Sequence, residues 1–303
     1  MKQVKLGTQE SSALALGCMR IAGKTPGEVR ELVGAAMESG ISLFDHADIY
    51  GGGACETVFG QMLAENPGLR DQIQIQSKCG IRSGFYDFSR EHLLSATEGI
   101  LSRLGIQTLD LLLFHRPDAL AEQEEFARAV QELRRSGKVR QFGVSNCTPA
   151  QSRLLESWSG EPLVADQVQL SLMHAGMVTG CLNVNVANSE GTMYDGSLLP
   201  FCQRTGVTVQ AWSPLQYGMF GGCFVGSDAF PELNACLSRM ARKYGVTPAA
   251  IAIAWILHIP GQMQVVLGTA SPAHVREAAA AAQIRLSRED WYELYRSCGY
   301  CLP

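Results

Sequence analysis

Short apolar runs along the chain alternate with longer segments in which apolar residues recur every three or four positions. The short runs fall at residues 14–17, 42–45, 73–78, 109–115, 140–144, 164–167, 207–212 and 264–267, and each has the length of a strand. The longer segments, 28–39, 56–65, 90–104, 122–136, 150–158, 198–204 and 233–244, mix that apolar spacing with charges elsewhere, the pattern of helices that bury one face. Gly40, Gly105, Gly137, Gly206 and Gly245 follow five of them as stop signals. An N-terminal hairpin is expected from residues 4–6 and 13–16, an extra helix from 248–258, and a helix interior from 278–282. Two longer connections, 171–194 and 213–228, interrupt the alternation after the sixth and seventh strands.

Eight strands interleaved with helices fit a closed barrel or an open doubly wound sheet. The open sheet usually carries a Gly-x-Gly-x-x-Gly turn after its first strand. The nearest cluster here, Gly51-Gly52-Gly53, follows the second strand and lacks the third glycine. The expected fold class is therefore α/β: a single (β/α)8 TIM barrel over residues 1–303, with an N-terminal β-hairpin and extended loops on the C-terminal face. Such loops shape substrate pockets.

Composition narrows the function. Apolar residues make up 46% of the chain and charged residues 18%, the balance of a globular protein with a large core. The net charge is -4, and no Lys/Arg cluster forms a nucleic-acid footprint. No apolar stretch reaches the length that spans a bilayer, and the N-terminus does not read as a secretory signal. A cytoplasmic monomer is expected, without a nucleic-acid or membrane partner. The ten cysteines are scattered and are expected as free thiols. Cys298 and Cys301 form the one close pair, without the context of a redox or zinc motif.

Several strands end in polar residues that a core strand does not need: Asp45, Lys78, His115, the Ser145-Asn146 pair, Gln167 and Trp212-Ser213. In a barrel these ends share one face, where active sites lie. Neighbouring parallel strands are about 4.8 Å apart, so Asp45, Lys78 and His115 can surround one point with Tyr50 reaching back over it. Free tyrosine titrates near about 10, and a lysine ammonium beside it is expected to lower that by about one to three units. Asp45 would keep Lys78 charged, and His115 would bond a carbonyl oxygen or Tyr50. The set suits protonation of an oxygen on which negative charge develops.

The segment Phe44-Asp45-His46-Ala47-Asp48-Ile49-Tyr50-Gly51 resembles the Asp-x4-Tyr-Gly signature of the aldo-keto reductases. Gln76-Ser77-Lys78-Cys79-Gly80 and Leu112-Leu113-Phe114-His115-Arg116-Pro117-Asp118 resemble the segments bearing that family's lysine and histidine. Residues 137–146, with Phe142-Gly143-Val144-Ser145-Asn146, resemble a further signature. The resemblance runs from about Leu16 to the C-terminus and is strongest to bacterial members known only as general oxidoreductases. It implies NAD(P)H-dependent reduction of an aldehyde or ketone, a small-molecule carbonyl substrate, with Tyr50, Lys78, Asp45 and His115 catalytic.

The same resemblance implies that Ser145, Asn146 and Gln167 hold the nicotinamide carboxamide and that Trp212 stacks on its ring. Ser213, Pro214 and Leu215 would lie near the pyrophosphate, and Gly268, Thr269 and Ala270 would begin the segment gripping the adenosine phosphate. NADP-preferring members usually place Lys or Arg in that segment. Here His274 stands where arginine is frequent, and Arg276 remains. NADP(H) is therefore expected first and NAD(H) second.

Two other readings compete. A metal-dependent barrel hydrolase could draw on Asp45, His46, Asp48, Glu56 and His115, although a second histidine pair is missing. A non-catalytic nucleotide-sensing subunit is the other. Cys18, Cys79 and Cys147 sit near strand ends and are expected mainly to pack. Phe85, Tyr86, Tyr194, Tyr217, Phe220, Phe224 and Trp291 are read as substrate contacts or ordinary anchors.

Overall fold

A computed structural model describes residues 1–186, 188–189, 193, 195–219 and 221–302. An antiparallel hairpin, β1 (Gln3–Leu6) and β2 (Gln9–Ser12), precedes β3 (Leu14–Gly17), β4 (Leu43–Asp45) and β5 (Gln74–Cys79). A small hairpin follows, β6 (Ile81–Arg82) with β7 (Phe85–Tyr86), and then β8 (Leu111–Phe114), β9 (Phe142–Ser145), β10 (Leu163–Gln169), β11 (Thr208–Trp212) and β12 (Met263–Leu267). Strands β3, β4, β5, β8, β9, β10, β11 and β12 pair in parallel in that order, and β12 closes onto β3. This is the (β/α)8 TIM barrel expected from the alternation.

Helices α1 (Pro26–Glu38), α2 (Ala54–Ala64), α3 (Arg90–Leu104), α4 (Gln123–Arg135) and α5 (Pro149–Ser159) cover the first half. Helices α6 (Gly176–Leu182), α7 (Leu198–Thr205), α8 (Pro231–Tyr244), α9 (Pro248–Leu257), α10 (Pro272–Ala279) and α11 (Arg288–Arg296) cover the second. Local chemistry sets their starts. Thr25 and Glu28 form a reciprocal capping box before α1, and Thr148 and Gln151 do the same before α5. The amphipathic spacing alone starts α1 at Glu28; the box and Pro26 begin it earlier.

Two expectations change. The second arm of the N-terminal hairpin is Gln9–Ser12, not residues 13–16, which belong to β3. The apolar run at 13–16 belongs to a buried barrel strand, whereas the hairpin arm is polar. The hairpin covers the N-terminal mouth of the barrel: Lys5 and Thr8 donate main-chain N–H groups to Gln262 and Gln141, and Thr208 donates to the Lys5 carbonyl. The 171–194 connection contains α6; the helix interior expected at 278–282 is the end of α10 and a 3-10 turn at Ala280–Gln283, and α11 lies beyond the helical segments expected from the sequence.

The core has two compartments. Leu6, Ala15, Leu43, Leu111, Leu113, Val164, Ala165 and Val266 pack inside the barrel. A larger apolar layer lies between strands and helices. Helix α9 is buried along nearly its whole length, which explains its unbroken apolar sequence. Among the described residues no helix is long and apolar enough to cross a membrane.

Candidate active site

Alternation along a strand turns Asp45 on β4 and Gln76 and Lys78 on β5 into the barrel, where their side chains meet. His115 follows β8 directly. Tyr50 is brought back over this point by Gly51, Gly52 and Gly53, all with positive φ (58°, 61° and 91°). Side chains seldom adopt three such residues in succession, so the turn needs glycine.

The Lys78 Nζ lies 2.7 Å from Asp45 Oδ1 and 2.8 Å from Oδ2. It also donates to the His46 carbonyl at 2.7 Å and to Tyr50 Oη at 3.1 Å. An ammonium has three N–H bonds, and Asp45, His46 and Tyr50 use them all. Because Tyr50 Oη accepts from Lys78, its own proton is free to point elsewhere. The Tyr50 and His115 rings meet edge to face, 6.2 Å between centroids.

Burial governs the titration of this group. Desolvation works against the Lys78 charge, but Asp45 and Tyr50 outweigh it and its pKa is raised. For Tyr50, desolvation raises the pKa above the ordinary 10.0 and Lys78 offsets only part. The expected lowering of Tyr50 is therefore reversed, and the phenol stays protonated across the neutral range. Burial, then Lys78 and Arg116, hold His115 well below 6.5, so its imidazole is neutral. Its Nδ1 is buried without a hydrogen-bond partner.

The residues expected to hold the cofactor lie at the ends of β9 to β12. Asn146 and Ser213 both have positive φ, 57° and 50°, a strained state for residues with side chains. Asn146 Nδ2 donates to Ser145 Oγ at 2.7 Å, and its Oδ1 accepts from Trp212 Nε1 at 3.3 Å. Ser145 Oγ donates to the Gln167 carbonyl. Trp212 and Ser213 are half-exposed, Pro214 is buried and Leu215 is half-buried. Gln167 turns inward and donates to Asp45 Oδ1 at 3.0 Å, which joins the two groups of residues.

Beyond β12, Gly268 and His274 are exposed, and Thr269 and Ala270 are half-buried. Ser271 caps α10 by accepting from the His274 N–H, and Pro272 begins the helix. Arg276 is paired with Glu38 of α1 at 3.0 Å, both strongly exposed.

Other sequence candidates fall outside the centre. His46 is fully buried against Phe59, and burial lowers its pKa to about 3. Glu56 is bound by Arg103 and Ser77 behind β5. Among the described residues, no three His, Cys, Asp or Glu side chains are placed to hold a metal ion. Burial raises the Cys18, Cys79 and Cys147 thiols, which favours inert packing. All ten cysteines are free; Cys298 is pushed up to about 12. Trp291 and Phe224 are core residues, Phe85, Tyr86 and Tyr217 are exposed, and Tyr194 and Phe220 lie outside the described residues.

Sequence reading passed over Arg116 and three glutamines. Arg116 stands beside His115 with its guanidinium 5.9 Å from the Trp212 ring centre. The signal was its adjacency to a strand-end histidine. Gln76, Gln210 and Gln264 are buried inside the barrel; a polar residue at an inward strand position was the signal there.

The closed parallel barrel thus gathers Asp45, Tyr50, Lys78 and His115 at its C-terminal end. The sequence pattern of the Aldo/keto reductase family matches residues 13–297, and the chain belongs to that family. It is 36% identical to the 6-dehydroglucose reductase of Agrobacterium fabrum, over 97% of each chain. It is 35% identical to Oxidoreductase YdhF of Escherichia coli, over 88% of this chain and 86% of that protein. The crystal structure of an aldo-keto reductase from Klebsiella pneumoniae in complex with NADPH superposes with a TM-score of 0.78 at 28% identity, covering 97% of this chain and 94% of that one.

Proposed function

We propose that this oxidoreductase reduces an aldehyde or ketone to the alcohol, with NADPH as the favoured reductant and NADH as the alternative. The observation that carries the reading is the exhausted Lys78 ammonium. All three of its N–H bonds are spent on Asp45, His46 and Tyr50, which leaves the Tyr50 hydroxyl proton for a substrate oxygen.

When bound, the nicotinamide supplies hydride to the carbonyl carbon. Tyr50 gives its proton to the oxygen as negative charge grows there, and Lys78 stabilises the phenolate left behind. Asp45 holds Lys78 in place. Neutral His115 orients the carbonyl by a hydrogen bond without competing as an acid.

The residues present fit the cofactor. Trp212 offers a half-exposed ring held by Asn146, and Gln167 has spent its amide nitrogen inside the barrel, leaving its side-chain Oε1 for a carboxamide N–H. Ser145 and Asn146 complete that grip. Ser213, Pro214 and Leu215 would follow the pyrophosphate, while Gly268, Thr269, Ala270, His274 and Arg276 would meet the adenosine end. NADPH comes first because the Klebsiella relative holds it and because α10 carries Arg276.

The Agrobacterium relative's name makes 6-dehydroglucose the first substrate to try. Arg116 has no ion-pair or hydrogen-bond partner among the described residues, and its fork of donors suits an oxygen-rich substrate. The test follows oxidation of NADPH and of NADH with 6-dehydroglucose and with a simple aldehyde. Aldehyde-dependent oxidation supports the reading. Tight cofactor binding with no turnover of any carbonyl tried would favour the nucleotide-sensing role instead.

A further inference from the structure

Four glutamines on four barrel strands form one continuous array beneath the catalytic residues. Gln76 on β5 and Gln210 on β11 come from the third and seventh strands of an eight-strand ring, so they face each other across the barrel. Their amides pair reciprocally. Gln76 Nε2 donates to Gln210 Oε1 at 3.0 Å, and Gln210 Nε2 donates to Gln76 Oε1 at 2.8 Å.

The second N–H of each amide continues the array. That of Gln76 goes to Asp45 Oδ1, and that of Gln210 goes to Gln264 Oε1 at 2.8 Å. Gln167 Nε2 donates to Asp45 Oδ1 at 3.0 Å and to Gln210 Oε1 at 3.1 Å. Gln264 Nε2 donates to the Ser12 carbonyl at 2.6 Å and to Ser11 Oγ at 3.2 Å. Each amide nitrogen has two N–H bonds, and all of them are used. None of the four side chains is more than 3% exposed.

Chemistry fixes the direction of every amide. The salt-bridged Asp45 carboxylate can only accept, and so can the Ser12 carbonyl. The amide nitrogens of Gln76 and Gln167 must therefore face Asp45, and that of Gln264 must face the hairpin. Gln210 between them has one orientation that satisfies both ends. A buried network with all its donors satisfied is rigid and has a single arrangement. Asp45 is thus clamped by two amides and an ammonium, and Gln167 cannot flip without breaking two bonds.

We propose that Gln76 and Gln210 are positioning residues of the reaction: their amide pair, closed across the barrel under the site, fixes Asp45 and Gln167, and through them both the proton donor and the carboxamide grip. The proposal rests on the proton-donor reading above. It adds that the Gln76–Gln210 pair, which is given no contact with substrate or cofactor, sets the geometry on which turnover depends.

The test compares Gln76→Met with Gln264→Met in the NADPH-dependent aldehyde assay. Methionine keeps length and burial and removes the amide. Both variants lose one buried amide of the same array, but Gln76 touches Asp45 and Gln264 does not. Gln76→Met is expected to lower kcat about tenfold with KM and cofactor affinity within about twofold, since small misplacements of reacting groups act on turnover. Its solvent isotope effect on kcat should rise as proton transfer becomes more limiting. Gln264→Met should lower the melting temperature comparably yet reduce kcat no more than about threefold.

Equal effects of the two variants on kcat, or loss of stability alone in Gln76→Met, overturn the proposal. If Gln76→Met does not fold, Gln210→Met takes its place with the same expectation. Tyr50→Phe in the same assay keeps the two readings apart. Wild-type turnover in that variant overturns the proton-donor reading and this proposal with it. Loss of turnover there, with equal effects of Gln76→Met and Gln264→Met, overturns this proposal alone.

Discussion

The two halves of the barrel's C-terminal face are built differently. At the ends of β4 and β5 the charged side chains are buried and paired: Lys78 is fully enclosed, with Asp45, His46 and Tyr50 taking its three N–H bonds. At the ends of β9 to β12 the backbone is strained at Asn146 and Ser213 and Trp212 is half-exposed, and beyond β12 Arg276 of α10 is paired with the exposed Glu38 carboxylate. On the proposed function, the groups that would meet developing charge are preorganised by the fold, while those proposed to meet the cofactor stand open, so its selectivity would depend on exposed side chains.

Breaking the closed half should cost most. Lys78→Met leaves Asp45 buried without its counter-charge. Turnover should fall more than about a hundredfold, and stability to urea by about 3–5 kcal/mol. Retention of either would show that the half is not a coupled unit.

Behind the open half lies a buried acid without a hydrogen-bond partner of ordinary geometry among the described residues. Asp166 points outward from β10, and burial raises its pKa to about 7 despite the nearby N–H groups of Cys147 and Asn146. The folded protein therefore holds a proton there that the unfolded chain releases from 3.8 upward. Stability should fall as the pH rises from about 4 to about 7. Asp166→Asn should flatten that dependence and stabilise the protein near pH 8 by on the order of 2 kcal/mol, measured by denaturation at acid and alkaline pH. A variant weaker than wild type at pH 8 would contradict the assignment.

Two smaller effects sharpen the contrast. Trp212→Ala should weaken cofactor binding by about tenfold through loss of ring stacking, read by titration, while leaving the melting temperature nearly unchanged. Glu38→Gln releases Arg276 from an exposed pair worth at most about 1 kcal/mol. The ratio of NADPH to NADH affinity should then rise about two- to threefold, and an unchanged ratio would remove Arg276 from the phosphate site.

The alternation of apolar runs was enough to anticipate the barrel, and polar strand ends were enough to collect Asp45, Lys78 and His115. Partnership was harder to see. Gln76 and Gln210 lie far apart in sequence and meet only because third and seventh strands face each other in a closed ring. The lowering expected for Tyr50 considered Lys78 without the desolvation that outweighs it, a quantity set by tertiary packing. Residues 13–16 drew the hairpin to the wrong place because Gln9–Ser12 carries no apolar signal. Its Ser11 hydroxyl and Ser12 main-chain carbonyl accept from Gln264 at the barrel floor instead.

The central claim is that the Tyr50 proton, released from any duty to Lys78, goes to the carbonyl oxygen. Single-turnover oxidation of bound NADPH by an aldehyde, compared between wild type and Tyr50→Phe at saturating cofactor, tests it most directly. The account predicts that the variant binds NADPH as tightly as wild type and reacts at least about a hundredfold more slowly. Equal rates would show that the proton comes from elsewhere and would contradict the account.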